Sequence, residues 1–256
     1  MNSARSVTGE ILDQLAPQDP RARRSRRDLQ RVNRIMGARG LLIGAMRPPA
    51  ERHPHNRPLR MLELGAGDGH LMLRIAQQVS GAWPPVQLTL LDRQSLVDDG
   101  TRAALGRLGW TVQTLTVDVL DWVAAPALPQ GPQAPQGPQA PQRWDLIVTN
   151  LFLHHFDDVQ LSNLLAGIAA RCDAFIACEP RRSLLPLLGS HLIGALGVNA
   201  VTRHDAVLSV RAGFRGDELS AAWPADRSQW RLQEQAAGAF SQLFSACRSA
   251  ASAGTG

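Results

Sequence analysis

The stretch RMLELGAGDGHLMLRIA, residues 60–76, decides the fold of this chain. It begins as an apolar run typical of a buried strand and passes through three glycines at alternate positions. It then continues with the apolar spacing of a helix. A strand that turns on glycines into a helix lets backbone without Cβ atoms approach a ligand closely. The pattern predicts a ligand-binding turn, but a short glycine motif does not identify the ligand.

Strands and amphipathic helices alternate along the chain from residue 59 onwards. Five apolar runs predict strands, and they are LRMLELG, VQLTLLD, TVQTLTVD, WDLIVTN and AFIACEP. Near-continuous apolar strands separated by amphipathic helices indicate a parallel sheet that is covered on both faces. The C-terminal runs WRLQEQAA and AFSQLFSAC lie a short gap apart, which predicts an antiparallel hairpin at the sheet edge. The predicted fold class is therefore α/β.

The predicted organisation is a helical segment followed by one sheet domain. Residues 1–58 form an N-terminal helical cap that ends in a Pro-rich loop, and residues 59–256 form the ligand-binding domain. Residues 126–142 repeat QGPQAP and are predicted to be a disordered Gln/Pro/Gly-rich insertion that can be deleted. Residues 183–222 are predicted to pack over the strand ends and to cover a pocket for a second ligand.

Composition limits the chemistry that this chain can perform. Its 27 basic residues are all arginine and it contains no tyrosine, so a general base has to be His, Asp, Glu or Cys. The net charge is +5, and the arginines are concentrated at residues 20–34. We interpret that run as a solvated helix face rather than a nucleic-acid surface. The three cysteines show neither a disulfide framework nor zinc spacing, which favours a reducing, cytoplasmic compartment.

Neither the N-terminal stretch nor the long apolar segment of the sequence indicates a membrane protein. The N-terminal stretch lacks the apolar run of a signal peptide. Residues 183–201 are uncharged and about as long as a membrane span, but Pro186, Ser190, His191 and Asn199 interrupt them. We therefore interpret this segment as a buried or pocket-covering helix, with peripheral membrane contact as the less favoured alternative.

Acidic side chains stand where three successive predicted strands end. Glu63 lies two residues before the glycine turn, where a carboxylate repels a pyrophosphate but suits a cationic amine. Asp92 can accept both hydroxyls of a ribose, although NAD enzymes place an acid there too. Asp118 can accept from an adenine amino group, with Val119 and Trp122 as apolar neighbours of the ring. The third glycine of the dinucleotide fingerprint is replaced by histidine, which disfavours a dinucleotide.

Four motifs extend this reading to a family resemblance. LELGAGDG, LLD, VDVLDW and WDLIVTNLFLHHF resemble the successive motifs of class I S-adenosylmethionine (SAM)-dependent methyltransferases over residues 59–180. The segments EILDQLAPQDPRARRSRRDLQRVNRIMG and VTRHDAVLSVRAGFRGDELSAAW resemble bacterial small-molecule methyltransferases that are often associated with polyketide synthases of the chalcone-synthase type.

The resemblance implies a Rossmann-like, seven-stranded, mostly parallel sheet with SAM as methyl donor. It also implies a phenolic, quinone or related polyketide-derived acceptor. In this sequence the implied cofactor-binding residues are Glu63, Gly65, Ala66, Gly67, Asp92, Arg93, Asp118, Val119 and Asn150. Glu63, Gly65 and Gly67 would surround the methionine part, Asp92 the ribose and Asp118 the adenine. Asn150 would lie beside the sulfonium.

Histidine is the natural base for a phenolic acceptor in a chain without lysine or tyrosine. His154 and His155 follow the strand that ends at Asn150, where the methyl group would be delivered. Because successive residues rarely face one pocket, we expect at most one of them to be catalytic and favour His155. The alternative is that both only make structural hydrogen bonds. His204 is the third candidate, with Asp205 available to orient its ring.

The remaining histidines are predicted to serve no catalysis. His53 and His55 fall in the Pro-rich loop and are predicted to be exposed, His70 opens a helix, and His191 lies in an apolar one. The spacing of the seven histidines shows no metal-ligand pattern, so the reaction is predicted to be metal-independent. The predicted lining of the acceptor pocket is Leu184, Leu185, Leu187, Leu188, Leu192 and Ile193.

The predicted function is methyl transfer from SAM to a small-molecule acceptor. A nucleic-acid methyltransferase is one alternative, although NLFL lacks the proline that amino-methylating versions carry after the fourth strand. A non-catalytic SAM-binding protein and an NAD-dependent reductase are the others. The sequence does not predict the acceptor, the methylated atom or the oligomeric state.

Overall fold

The computed structural model describes residues 4–54, 56–125, 143–224 and 227–249. The predicted insertion at 126–142 and His55 lie outside the described residues.

Helices and strands alternate through the described ranges. The α-helices are α1 (Ile11–Gln14), α2 (Pro20–Met36), α3 (Ala38–Glu51), α4 (His70–Val79), α5 (Asp99–Arg107), α6 (Val119–Ala124), α7 (Asp158–Arg171), α8 (Leu184–Leu192), α9 (Ala200–Ala212) and α10 (Glu218–Ala222). The strands are β1 (Leu59–Leu64), β2 (Val86–Asp92), β3 (Trp110–Thr116), β4 (Leu146–Asn150), β5 (Ala174–Pro180), β6 (Trp230–Ala237) and β7 (Ser241–Arg248). Short 3-10 turns lie at Leu153–His155, Ile193–Leu196 and Arg227–Gln229.

The strands form one seven-stranded sheet in the order β3-β2-β1-β4-β5-β7-β6. The first five strands are parallel, and β7 pairs antiparallel with both β5 and β6. The predicted fold is therefore confirmed, including the C-terminal antiparallel pair. The strand order reverses between β1 and β4, and ligands of such sheets bind outside the carboxyl ends of the strands at that point.

Helices cover both faces of the sheet, as predicted. On one face, Leu42 and Met46 of α3 pack with Ile75 of α4 and Leu105 of α5. On the other face, α6, α7 and α10 cover the apolar side chains of the strands. Because α3 is buried against the sheet, the chain segment predicted as a cap supplies part of the domain core.

Two expectations for the Pro-rich segment are wrong. Pro48 and Pro49 lie inside α3, which continues to Glu51. Each proline removes one N–H donor from the last turn of the helix, which ends at Glu51. His53 is buried rather than exposed, since its Nε2 lies 3.1 Å from the carbonyl oxygen of Arg57 and its Nδ1 3.8 Å from Asp145.

The apolar segment after β5 is broken into short elements. It contains α8, a 3-10 turn and the start of α9. Among the described residues, none of the helices has both the length and the apolarity needed to cross a membrane.

Candidate functional site

A cavity of about 670 Å³ opens at the carboxyl ends of the parallel strands. The glycine turn after β1 and the ends of β2 and β3 line one part of it. The segment around α1, one face of α2, the 3-10 turn after β4, and parts of α8 and α9 line the rest. One space therefore joins the predicted cofactor residues to the predicted catalytic histidines.

The glycine turn has a shape that side chains would prevent. Gly65, Gly67 and Gly69 all have positive φ angles, of +69°, +55° and +72°. A Cβ atom on Gly65 would lie 2.2 Å from the ring of Phe152, whereas a Cβ on Gly67 would meet no atom within 4 Å. The turn at Gly67 thus leaves bare backbone beside open space, where a ligand can approach.

Asp92 holds the glycine turn and lines the cavity. Its Oδ2 accepts from the Gly67 N–H at 2.9 Å and its Oδ1 accepts from the Gln94 N–H at 2.9 Å. Both bonds fix the direction of the carboxylate before any ligand is present. A preoriented carboxylate at this strand end can accept ribose hydroxyls without first reorganising.

Glu63 is buried on β1, next to Asp68 and Asp92, and does not line the cavity. Its Oε2 has no hydrogen-bond partner among the described residues. Burial, reinforced by the charges of Asp68 and Asp92, raises the pKa of Glu63 well above its ordinary value. A buried carboxyl with a free oxygen is suited to receive a cationic donor.

The other predicted cofactor residues divide between the cavity and its surroundings. Asp118 lines the cavity beside Val119 and caps α6 by accepting from the Leu120 N–H at 2.8 Å. Ala66 lies at a small adjoining pocket instead. Asn150 does not line the main cavity: its Nδ2 donates to Asn33 Oδ1 at 2.9 Å, and its buried Oδ1 has no hydrogen-bond partner within the described part of the chain.

Arg93 lines the cavity and connects its two parts. It follows Asp92 directly, and its guanidinium lies 3.1 Å from Asp13 Oδ1 and also donates to the carbonyl oxygen of Asp13. These contacts connect the N-terminal segment to the end of β2, so a displacement of either one would displace the other.

Both His154 and His155 line the cavity, and their ring centroids are 4.3 Å apart. The expectation that only one of two successive residues could face it is wrong. The reason is the 3-10 turn at Leu153–His155, which turns the chain more tightly than a strand does. Just before it, Leu151 has a φ of +52°, an uncommon backbone conformation for leucine.

Two carboxylates flank the His154 ring. Its Nδ1 lies 2.8 Å from Glu179 Oε2, and its Nε2 lies 3.4 Å from Glu10 Oε1. Glu179 is fully buried and also accepts from the Phe152 and Leu153 N–H groups. Burial opposes the charged ring, but the two carboxylates outweigh it and raise the pKa of His154 to about 9.

His155 has a carboxylate partner of its own. Its Nδ1 lies 3.2 Å from Asp13 Oδ2, which leaves Nε2 as the other ring nitrogen. Burial raises the pKa of Asp13, but the neighbouring His155 and Arg93 more than offset it, and the net direction is down. The pair has the form of an imidazole oriented by an acid.

His204 does not join this cluster, which corrects the sequence-based prediction. Its side chain is 53% exposed and does not line the cavity. Asp205 does line it, but its two oxygens accept from the Ile11 and Leu12 N–H groups, at 2.9 Å each. Asp205 therefore caps α1, and the helical turn of α9 carries His204 outward.

The predicted leucine lining is mostly wrong as well. Leu184, Leu185 and Leu188 are exposed, and of the six predicted residues only Leu192 and Ile193 line the cavity. The opposite face of α8 supplies Pro186, Gly189 and Ser190 instead. The leucines of α8 form an apolar face that was predicted to meet the cavity, but the less apolar face of the helix lines it.

Three acidic residues of the site are absent from the predictions made from the sequence. Glu10 and Asp13 belong to the N-terminal segment, and Glu179 lies inside β5, far along the chain from both. Only the fold brings them to the two histidines. The one available clue is a carboxylate within the apolar run AFIACEP, since an acid at a buried strand position needs a polar partner.

No protein-family model matches the sequence, and no curated protein matches it. Solved structures do match. One is the plantazolicin methyltransferase BpumL in complex with SAH, with a TM-score of 0.60 and 12% identity over 91% of this chain and 92% of that chain. Another is an O-methyltransferase family protein from Burkholderia thailandensis, with a TM-score of 0.55 and 15% identity. This chain covers 62% of that protein, which covers 91% of this chain.

The fold of this chain is that of these methyltransferases. At 12% and 15% identity the likeness extends to the arrangement of the backbone and leaves the activity to be argued from the site.

Proposed function

We propose that this chain is a SAM-dependent methyltransferase that acts on a small-molecule acceptor. The observation that carries the proposal is the single cavity of about 670 Å³ that joins the glycine turn and Asp92 to the paired histidines. Its volume falls in the range of sites that bind small molecules. The solved structures of the same fold, which include one with SAH, agree with this proposal.

The residues at the glycine turn fit SAM better than a dinucleotide. The free Oε2 of Glu63 suits the ammonium group of the methionine part, and the open backbone at Gly67 suits close approach. Asp92 is preoriented for the ribose hydroxyls, while Asp118 and Val119 are available for the adenine. We propose that Gly65, Ala66, Arg93 and Asn150 support these contacts from the turn and strand ends.

Bound SAM would supply a methyl group that its sulfonium already activates. The work left to the chain is to align the acceptor in line with that methyl group and to exclude water. Orientation of this kind supplies roughly 7–11 kcal/mol in well-aligned reactions. The segment around α1 and the helices α2, α8 and α9 enclose the cavity and perform the exclusion.

The acceptor part of the cavity has an apolar wall and a polar end. Leu29, Val32 and Met36 of α2 provide apolar surface, and His154 and His155 provide the polar end. An aromatic compound with a hydroxyl group matches this division. We propose a phenolic, quinone or polyketide-derived acceptor, in bacterial secondary metabolism of the chalcone-synthase-linked type, whose hydroxyl lies against the two histidines.

The alternatives lack a comparable observation in the structure. The arginines of α2 are mostly exposed, as a solvated helix face requires, and a nucleic-acid methyltransferase needs a basic surface at the cavity itself. An NAD-dependent reductase is expected to carry the dinucleotide fingerprint at the glycine turn, whereas this chain has His70 in place of the third glycine. Calorimetry with SAM and with NAD separates these alternatives, and turnover of labelled SAM on a panel of phenols, quinones and pyrones separates an enzyme from a SAM-binding protein.

The sharpest variant is Asp92→Ala. This variant would lose the two hydrogen bonds that the ribose hydroxyls are proposed to donate to the Asp92 carboxylate. Each is worth about 1.5 kcal/mol or more, so the affinity for SAM measured by calorimetry should fall at least ~100-fold. Asp99→Ala is the matched control, because Asp99 is a fully exposed acid on the next helix. Unchanged SAM affinity in the Asp92 variant would refute the assignment of the strand ends.

A further inference from the structure

Glu10, His154 and His155 form a compact set of metal-ligating atoms. One carboxylate oxygen and one nitrogen of each ring lie within 4.8 Å of one another. His154 Nε2 and Glu10 Oε1 are 3.4 Å apart. That separation is long for a charge-assisted hydrogen bond. It matches two ligands of one tetrahedral ion, which lie about 3.3 Å apart when metal bonds are ~2.0–2.1 Å long.

The outer nitrogens of both rings are held by carboxylates. Glu179 contacts His154 Nδ1 at 2.8 Å, and Asp13 contacts His155 Nδ1 at 3.2 Å. This leaves the Nε2 atoms as the nitrogens that can bind an ion. A carboxylate behind a ligating histidine is the usual support of metal sites, because it fixes the ring and raises its basicity. His154 and His155 each have such a carboxylate at Nδ1.

Charge provides a separate argument. Glu10 and Glu179 are both buried and flank the His154 ring, whereas Asp13 is exposed and pairs with Arg93 as well as with His155. Even with His154 charged, the two buried carboxylates exceed the positive charge of that ring. Excess buried charge is costly, and a divalent ion between Glu10 and the two rings would offset it.

We propose that Glu10, His154 and His155 bind one divalent transition-metal ion, with zinc as the best-fitting example, and that its open position receives the acceptor oxygen. Two histidines and one glutamate with an open position form a known type of catalytic zinc set. The prediction of a metal-independent reaction from histidine spacing is thereby replaced, since Glu10 lies 144 residues before His154 and adds a ligand that spacing within the sequence could not reveal.

This inference rests on the proposed methyl transfer and specifies how the acceptor is activated. Coordination to the ion would lower the pKa of the acceptor hydroxyl, so that the hydroxyl would release its proton to bulk water as the acceptor enters the cavity. An oxygen lone pair would then form the O–CH3 bond, and the electrons of the broken S–CH3 bond would return to sulfur. Atoms and charge balance without an oxidant or a reductant.

The test uses the full chain after treatment with a chelator, titrated with zinc alone by calorimetry and with cobalt alone by absorption spectroscopy. The expected result is one zinc per chain and cobalt bands of a low-symmetry, four- or five-coordinate site. Glu10→Gln and His155→Ala should weaken zinc binding by more than 100-fold, and Asp13→Asn by roughly 10–100-fold. His204→Ala is the matched control, because it removes an exposed histidine outside the cavity and should leave zinc binding unchanged.

Circular dichroism and the thermal midpoint of each variant show whether it folds, and His155→Ala, at a half-buried position, serves if the Glu10 variant unfolds. Substoichiometric zinc binding, or equal zinc affinity in the parent, Glu10→Gln and His155→Ala, would overturn the metal site. SAM binding to the chelated chain is measured in parallel. If the chain binds SAM but does not bind zinc, only this inference is refuted. If the chain does not bind SAM, the proposed function is refuted.

Discussion

At the scale of single residues, the site is defined by carboxylates whose partners fix their direction. Asp92 accepts from the Gly67 N–H, Glu179 contacts His154 and Asp205 accepts from α1. Each carboxylate binds a group that is distant in sequence. The position of Asp92 could be predicted from the sequence, because the end of an apolar run indicates the end of a strand. The contact of Glu179 with a histidine could not be predicted, because that histidine follows a different strand.

Asp145 offers a residue-scale prediction outside the cavity. It accepts from Arg57 Nη1 and Nη2 at 2.6 Å and from the Arg60 N–H at 2.8 Å. Burial alone would raise the pKa of Asp145, but these donors outweigh it and lower the pKa. Its stabilising contribution is therefore complete above the unfolded pKa of ~3.9 and is lost as the pH falls through the folded pKa.

We predict that Asp145→Asn lowers the free energy of unfolding by about 1–3 kcal/mol at pH 7, since Arg57 is partly exposed and solvent weakens the pair. The difference from the parent chain should shrink as the pH falls below ~4. Urea unfolding at pH 7, 4 and 3 measures it. A difference that stays constant over this range would show that the carboxylate charge is not responsible.

At the scale of elements, the N-terminal segment is the part that sequence analysis described least well. A helical cap over the strand ends was predicted, but the cap contributes Glu10 and Asp13 to the histidine cluster. Helical spacing shows which face is apolar and not which distant element it meets. The same limit explains α8, whose exposed leucines were predicted to line the cavity.

The attachment of this segment depends on Asp205, which caps α1 from 194 residues away. In Asp205→Ala the Ile11 and Leu12 N–H groups lose their acceptor, so we predict amide exchange at these two residues at least tenfold faster, corresponding to one charged hydrogen bond of about 1.5 kcal/mol or more. His204→Ala is the control, because it removes only the contact of His204 with the same carboxylate at 3.1 Å. Equal exchange in both variants would show that the segment is held elsewhere.

At the scale of the whole molecule, the sheet topology determines where the chemistry takes place. The strand order reverses between β1 and β4, and the glycine turn, Asp92, Asp118 and the histidine turn all lie at or just beyond the carboxyl ends of parallel strands. The parallel strands and their ends could be predicted, because near-continuous apolar runs that alternate with amphipathic helices indicate a parallel sheet. The enclosing helices could not be predicted in detail, since their contacts depend on packing rather than on period.

The most direct test of the account is a crystal structure of the chain soaked with S-adenosylhomocysteine, the product that methyl donation leaves. We predict density in the cavity beside Gly67, with the ribose hydroxyls on Asp92, the ammonium group towards Glu63, and the sulfur directed towards His154 and His155. Density at another place, or Asp92 and Glu63 without contact to the ligand, would contradict the central claim.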